Sequence, residues 1–281
     1  MANIFISYGD IRFKESLKRI RKQAIKSGLF DEIIIYSDKD LPDYIKSSPL
    51  MAFNRGGGYW VWKPYIIYHT LNNCKEGDMV YYVDSGCTLN GDSNEWKDYQ
   101  EYLESFNAIF FQYRNDFKYP GWEAACSKPE NNSTEIIHWM KPSCRSFFDS
   151  YFHDAGYQHY DKIWGGLMII KKTKPIIKVV EDWYRITLFK PELIMDPFGD
   201  ELTNLPDSFN LHRHDQAIIT PLIYYYKDKD NILVLPETSE SNKEIAAVRA
   251  DRYRVGKLPF VLYVKYKIYN FISNHISSFK K

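Results

Sequence analysis

The chain has 281 residues, of which 44% are hydrophobic and 26% charged, with a formal net charge of +1. This balance excludes disorder, collagen and coiled coil as the main architecture, and a charge so near zero gives no global field for nucleic acid. The length suits one large domain, or one domain with a small appendage.

The bulk charge hides an asymmetry. Residues 252–281 carry seven Lys and Arg and no acid, whereas residues 1–251 carry 30 basic against 36 acidic residues. The sequence therefore divides into a mildly acidic body, 1–250, and a basic tail, 251–281. Aromatic residues reach 17%, including 23 Tyr and 7 Trp. Such rings either fill a core or stack on sugars and bases. No apolar run approaches the ~18 residues of a membrane span. The first residues lack a basic segment followed by a long apolar stretch, so no signal peptide is expected and the location is read as cytoplasmic. Cys74, Cys87, Cys126 and Cys144 have no CxxC spacing and are expected to be reduced thiols.

In chain order, Asn3 to Ser7 reads as a short buried strand. Phe13 to Ser27 reads as a helix, with Phe13, Leu17, Ile20 and Ala24 on one stripe and Gly28 as its stop. Ile33 to Tyr36 is a second strand, so the opening predicts a parallel βαβ unit. Arg55-Gly56-Gly57-Gly58 reads as a flexible or tightly turning loop. Lys63 to Leu71 is a helix whose Pro64 suits a first turn. Met79 to Val83 is a candidate central strand, and Ala108 to Tyr113 another. Residues 114–146 look irregular, then helical. Leu167 to Ile170 is a strand entered through Gly165-Gly166. Ile176 to Phe189 and His214 to Tyr226 are helices, and Ile232 to Leu235 is a last strand. After Pro259 the pattern is an amphipathic helix. The fold expected is α/β, a single domain with a mostly parallel central sheet flanked by helices and a helical tail.

Three clusters can carry chemistry. Asp84-Ser85-Gly86 follows an apolar strand, and ligands of open α/β sheets bind beyond the carboxyl ends of strands. A carboxylate there can hold a divalent cation against a diphosphate; the alternative is a simple turn aspartate. Phe209-Asn210-Leu211-His212-Arg213-His214-Asp215-Gln216 packs two His, an Arg and an Asp before an apolar helix. His214 can ligate a metal and Arg213 can neutralise a phosphate, while Asp215 also reads as an N-cap. Gly58-Tyr59-Trp60-Val61-Trp62-Lys63-Pro64 puts an ammonium beside two indoles at a helix start, although the indoles can equally be core anchors. Ser7, Tyr8, Asp10 and Arg12, at the end of the first strand, can hold a base or ribose. Gly165 and Gly166 can admit a sugar close to backbone. GxGxxG, GxxxxGK[ST], HExxH and GxSxG are all absent, which argues against a dinucleotide site, a P-loop, a zinc protease or a serine hydrolase.

Taken in order, Tyr8…Asp10, Gly58 to Tyr65, Gly77-Asp78…Tyr82-Val83-Asp84-Ser85-Gly86-Cys87, Trp164-Gly165-Gly166 and His212 to Gln216 resemble bacterial GT-A-type glycosyltransferases of capsule and O-antigen assembly. The resemblance spans residues 1–235. It implies a GT-A-like domain that transfers a sugar, a hexose above all, from a nucleotide-sugar donor, UDP-sugars favoured, to a hydroxyl of a glycan or lipid-linked acceptor. It also implies a divalent cation, Mn2+ or Mg2+, on an Asp-x-Asp motif. Here the matching tripeptide is Asp84-Ser85-Gly86, with glycine at the second acid. Asp84 then acts with His214 and water as metal ligands, or Lys63 and Arg213 form a cationic clamp instead.

Transfer needs positive charge at the leaving diphosphate, a carboxylate near the oxocarbenium-like carbon and a proton acceptor for the attacking hydroxyl. Asp215 is the expected carboxylate, with Asp196, Asp200 and Glu201 in reserve. Two other classes remain open: a non-catalytic carbohydrate-binding protein on the same fold, and a sugar nucleotidyltransferase. The latter lacks its basic glycine-rich loop after the first strand. The tail, with Val261, Val264, Ile268, Phe271 and Ile272 near one stripe and Lys265 and Lys267 beside it, fits peripheral contact with an anionic membrane face.

Overall fold

A computed structural model describes residues 1–119, 122, 126 and 133–251. Its strands are β1 (Asn3–Tyr8), β2 (Glu32–Tyr36), β3 (Met79–Val83), β4 (Thr88–Leu89), β5 (Ala108–Gln112), β6 (Ile163–Lys171), β7 (Ile232–Pro236) and β8 (Val248–Arg249). The longer helices are α1 (Lys14–Ser27), α2 (Trp62–Asn73), α3 (Glu95–Ser105), α4 (Pro142–Phe152), α5 (Lys174–Phe189) and α6 (His214–Tyr226).

A six-stranded sheet has the order β2-β1-β3-β6-β5-β7. β1 pairs in parallel with both β2 and β3, and β5 pairs in parallel with β7. β6 runs antiparallel between β3 and β5. The fold is thus α/β with a mixed, mostly parallel central sheet flanked by helices, as the alternation of apolar strands and striped helices requires. β4 and β8 form a separate two-stranded ribbon.

The period-2 geometry of β3 sets its two faces. Tyr81 meets the Trp96 ring of α3, whereas the adjacent Tyr82 lies under the Lys63 ammonium of α2. These two helices therefore cover opposite faces of the sheet. α1 buries Leu17, Ile20 and Ala24 as its stripe predicts, each large apolar side chain contributing about 1.5–3 kcal/mol. Gly28 ends it in the left-handed conformation, φ 67°.

The order around β1 positions the site. Its connection to β2 runs to one side and the next parallel strand, β3, lies on the other. A crevice opens at such a switch point, beyond the carboxyl ends of the two strands.

Some expectations are refined. Gly165 and Gly166 lie within β6 rather than before it. α3 and the β4–β8 ribbon were not read from the sequence. Residues 252–281, with the proposed tail helix, lie outside the described residues. Among the described residues, no helix is long and apolar enough to cross a membrane, and all four cysteines are free.

Candidate functional site

A cleft of about 510 Å³ opens at the switch point. Tyr8, Gly9 and Asp10 line it after β1, and Asp84, Ser85, Gly86 and Cys87 line it after β3. Arg12, Phe13, residues 54–57, Trp60 and Trp62 supply another part of the lining, and Tyr113, Trp164, Arg213, Gln216, Glu240 and Ala250 complete it. Three arginines (Arg12, Arg55, Arg213) and three acids (Asp10, Asp84, Glu240) face the space. The two signs balance along this part of the lining.

The floor is an ion-pair cluster. Lys63, in the first turn of α2, is 1% exposed. Its Nζ donates to Asp215 Oδ2 at 2.6 Å and to the Gly165 carbonyl at 3.2 Å, and it lies 3.5 Å from Asp84 Oδ1. Burial alone would drive the amine neutral; the carboxylates of Asp215 and Asp84 outweigh it and hold Lys63 above its ordinary value as an ammonium. Gly165 is small for a reason of space, since a Cβ there would stand 3.1 Å from Asp215 Oδ2 and 3.3 Å from Lys63 Nζ. Asp84 keeps 38% of its side chain exposed. The Tyr82 hydroxyl donates to its Oδ1, and its backbone N–H donates to the Gly166 carbonyl. One face of Asp84 is thus fixed from below while it lines the cleft above.

At the β1 end, the Tyr8 ring stacks on Trp62 with centroids 3.9 Å apart. Asp10 accepts from the Arg12 backbone and, at 2.7 Å, from Arg12 Nε. Arg12 Nη1 donates to the Asn54 carbonyl, tying the end of β1 to the glycine segment. That segment is wound left-handed: Gly56, Gly57, Gly58, Tyr59 and Trp60 all have φ between 52° and 96°. A Cβ on Gly58 would lie 2.5 Å from the Met51 sulfur, and one on Gly57 would lie 3.3 Å from Asp10 Oδ2. Only glycine takes such φ values without strain, so the run of three glycines is a requirement of this turn.

His214 sits behind that turn. Its Nδ1–H donates to the Ile194 carbonyl at 2.9 Å, and its ring stacks on Trp60 with Tyr59 at its edge. Its Nε2 is buried without a hydrogen-bond partner, 3.7 Å from Asp196 Oδ1. Burial, reinforced by the Arg55 charge, lowers its pKa to about 4, so the ring is neutral at pH 7. Tyr59 also donates to Asp196.

Of the residues singled out from sequence, Tyr8, Asp10, Arg12, Asp84, Ser85, Gly86 and Arg213 line the cleft. Lys63, Gly165 and Gly166 belong to the floor beneath it. Ser7 is fully buried and does not line it. Asp215 is corrected on one point, its place at the helix end. The helix N-cap is Arg213, not Asp215; the Asp215 carboxylate accepts from Lys63 Nζ and does not line the cleft. His214 contacts the 56–60 turn and Asp196, while Asp84 contacts Lys63 and Tyr82. Among the described residues, no group of three His, Cys, Asp or Glu side chains can hold a metal ion. Asp84 alone fits a cation that arrives with its own phosphate ligands, because Mg2+ is commonly held by one or two carboxylates plus substrate phosphates and water. Of the reserves, Asp196 pairs with Tyr59, and Glu201 lies 3.5 Å from buried Lys141. Sequence reading missed Arg55, Tyr113 and Glu240 as cleft residues. Arg55 sat in a quoted loop; Glu240 carried no local motif.

The chain matches no protein-family model and no curated protein. Its fold is similar to that of a glycosyltransferase involved in glycosylation of the major capsid of PBCV-1, 10% identical over 84% of this chain and 82% of that one, TM-score 0.43. It is also similar to the galactosyltransferase LgtC in complex with donor and acceptor sugar analogs, 12% identical over 82% and 72%, TM-score 0.37. A third similar structure is core-mannan synthase A from Aspergillus fumigatus in its Mn/GDP form, 11% identical over 83% and 72%, TM-score 0.40. Similarity at this level assigns no activity.

Proposed function

We propose that the protein is a glycosyltransferase of GT-A type that moves a sugar from a nucleotide-sugar donor to a hydroxyl. The observation that carries this reading is Asp84, held by Lys63 and Tyr82 at the carboxyl end of β3 and half-exposed in a cleft at the sheet's switch point. Each of the ordered motifs that resemble GT-A enzymes contributes residues to the lining of this cleft, although they range from Tyr8 to Gln216 in the sequence.

In this reading the diphosphate lies near Asp84 and the cleft arginines. Arg213 and Arg55 screen its charge, and the indole and phenol rings at the β1 end receive the base. A divalent cation, when bound at Asp84, neutralises the departing diphosphate. Lys63 and Asp215 position Asp84; they do not touch the sugar. A UDP-hexose donor, a glycan or lipid-linked acceptor of surface-polysaccharide assembly, and a cytoplasmic site of action at the membrane face through residues 252–281 complete the proposal.

The test is calorimetry and nucleotide release with UDP-glucose, UDP-galactose and GDP-mannose, with and without Mn2+. Micromolar binding of one donor and its slow hydrolysis are expected, both abolished in Asp84→Ala. Absence of binding by every donor in both conditions refutes the reading.

A further inference from the structure

We infer that the exposed face of α1 docks on an anionic membrane surface and so holds the cleft near the bilayer. The inference goes beyond the function proposed above, because docking can be read without any turnover. Of the 30 basic and 36 acidic residues in 1–251, α1 holds six and one, which leaves 24 against 35 elsewhere. Positive charge is therefore gathered on one helix of a body that is otherwise acidic.

The charges share one side of the helix. Leu17, Ile20 and Ala24 are buried, while Lys14, Lys18, Arg21, Lys22, Ile25 and Lys26 are exposed. The four lysines follow one another at i, i+4, so each neighbours the next. Like charges at that spacing destabilise a helix, and Lys14 stands in the first turn, where the helix dipole disfavours a cation. Glu15, the single acid of α1, offsets only Lys18, at 2.8 Å. The pattern thus works against the stability of α1 by itself, and a surface of opposite charge relieves it.

A bilayer fits this face better than a polyanion does. Ile25, within the stripe, is 53% exposed, and Ile11, in the turn before α1, is 51% exposed. Branched apolar side chains among lysines find apolar neighbours in a headgroup layer, whereas a row of phosphates offers them none. Anionic lipid attracts each Lys or Arg near its surface, over about one Debye length, ~8 Å at physiological salt. The stripe from Lys14 to Lys26 is about 18 Å long at the rise of an α-helix, so a flat face can engage all of it at once.

α1 is also fixed to the cleft. Arg12 and Phe13, just before it, line the cleft. Arg19 Nη2 donates to the Ser85 carbonyl at 2.9 Å and to the Cys87 carbonyl at 2.8 Å, and these two residues line the cleft after β3. Further along, Gln23 Oε1 accepts from the Leu89 N–H at 3.3 Å. Docking along α1 therefore fixes where the cleft stands relative to the bilayer, and favours a ligand whose reacting end projects from the lipid.

The experiment is co-sedimentation of the full chain with phosphatidylcholine vesicles that hold about 30 mol% phosphatidylglycerol or none, with melting temperature read alongside. Wild type is expected to bind only the anionic vesicles and to be released as NaCl rises from ~50 to ~500 mM. The triple variant Lys18→Gln, Arg21→Gln, Lys22→Gln is expected to lose roughly 100-fold in affinity, and each single variant roughly fivefold. Melting temperatures should not move, because these side chains are exposed. Exchanging the cations, Lys18→Arg, Arg21→Lys, Lys22→Arg, should keep affinity within about twofold. Absence of wild-type binding to anionic vesicles at ~50 mM NaCl overturns the inference. A triple variant that binds within about threefold of wild type overturns it too, and if replacing the seven Lys and Arg of residues 252–281 by Gln then abolishes binding, the tail alone is the anchor. Tight binding of an RNA oligonucleotide with none of vesicles assigns the face to a polyanion and likewise overturns it.

Discussion

Lys63→Met tests the floor of the site most directly. The ammonium it removes is buried, 2.6 Å from Asp215 and 3.5 Å from Asp84. Methionine restores most of the volume, so the loss is one of charge. Breaking a buried pair by deleting one partner costs about 3–5 kcal/mol, because the remaining carboxylate is left uncompensated. For a chain of this size that is a drop in melting temperature of roughly 6–20 °C. The penalty depends on pH in a defined sense. Without the ammonium, Asp215 retains burial and the like charge of Asp84, both of which raise its carboxyl above the usual value. A folded-state pKa above the unfolded one gives stability that is present at low pH and lost as pH rises through it. The deficit of Lys63→Met relative to wild type therefore shrinks on acidification. Replacing both partners, Lys63→Met with Asp215→Leu, should recover much of the loss, since a matched apolar pair is often neutral. Calorimetric melting at pH 5 and 8 reads all of this. A single variant within about 3 °C of wild type, a deficit that does not depend on pH, or a double variant no better than the single refutes the reasoning.

Three other outcomes follow from the same geometry. Gly58→Ala places a Cβ 2.5 Å from the Met51 sulfur at φ 96°. It should cost more than Gly28→Ala, where φ is 67° and nothing lies within 4 Å; left-handed strain alone is about 1–2 kcal/mol, and urea denaturation separates the two. His214, with its pKa lowered to about 4 from 6.5, binds fewer protons folded than unfolded between those values. Its contribution, present above pH 6.5, is lost as pH falls toward 4, by about 3 kcal/mol from the size of the shift. The urea midpoint of His214→Phe should accordingly fall less between pH 7 and 5 than that of wild type. Asp84→Asn should leave the melting temperature within a few degrees, since its side chain is 38% exposed, and under the proposed glycosyltransferase function it should reduce UDP release from UDP-sugars at least ~100-fold, as losses of transition-state electrostatics do.

The parts of the fold legible in the sequence were those encoded locally. The stripe of α1 and its Gly28 stop, the apolar runs of β1, β3 and β7, and the whole of α6 lie where periodicity puts them. α3 was missed although Trp96, Tyr99 and Leu103 bury at helical spacing; acidic and aromatic residues between them obscure the stripe. The direction of β6 depends on its partners β3 and β5, and no pattern within Ile163–Lys171 encodes that. In the site, Asp84 was legible because a carboxylate after an apolar strand is a local signal. The commitment of Asp215 to Lys63 was not, because the two stand 152 positions apart. Glu240 was invisible for a similar reason: only the packing of Glu237 and the course of the chain after β7 bring it to Tyr113. The left-handed turn was half legible, since three successive glycines announce unusual φ values, while Tyr59 and Trp60 in the same conformation do not.

The ammonium of Lys63 joins α2, the end of β3, the interior of β6 and the first turn of α6. A nascent chain that has emerged only as far as β6 has the lysine, Asp84 and Gly165, but no Asp215 to neutralise the charge. The shortest contact of that ammonium, 2.6 Å to Asp215, forms only when the sequence around position 215 arrives and docks. Completion of this buried cluster is consequently a late event in the biogenesis of this protein, and fragments ending before α6 should lack it however well their first strands assemble.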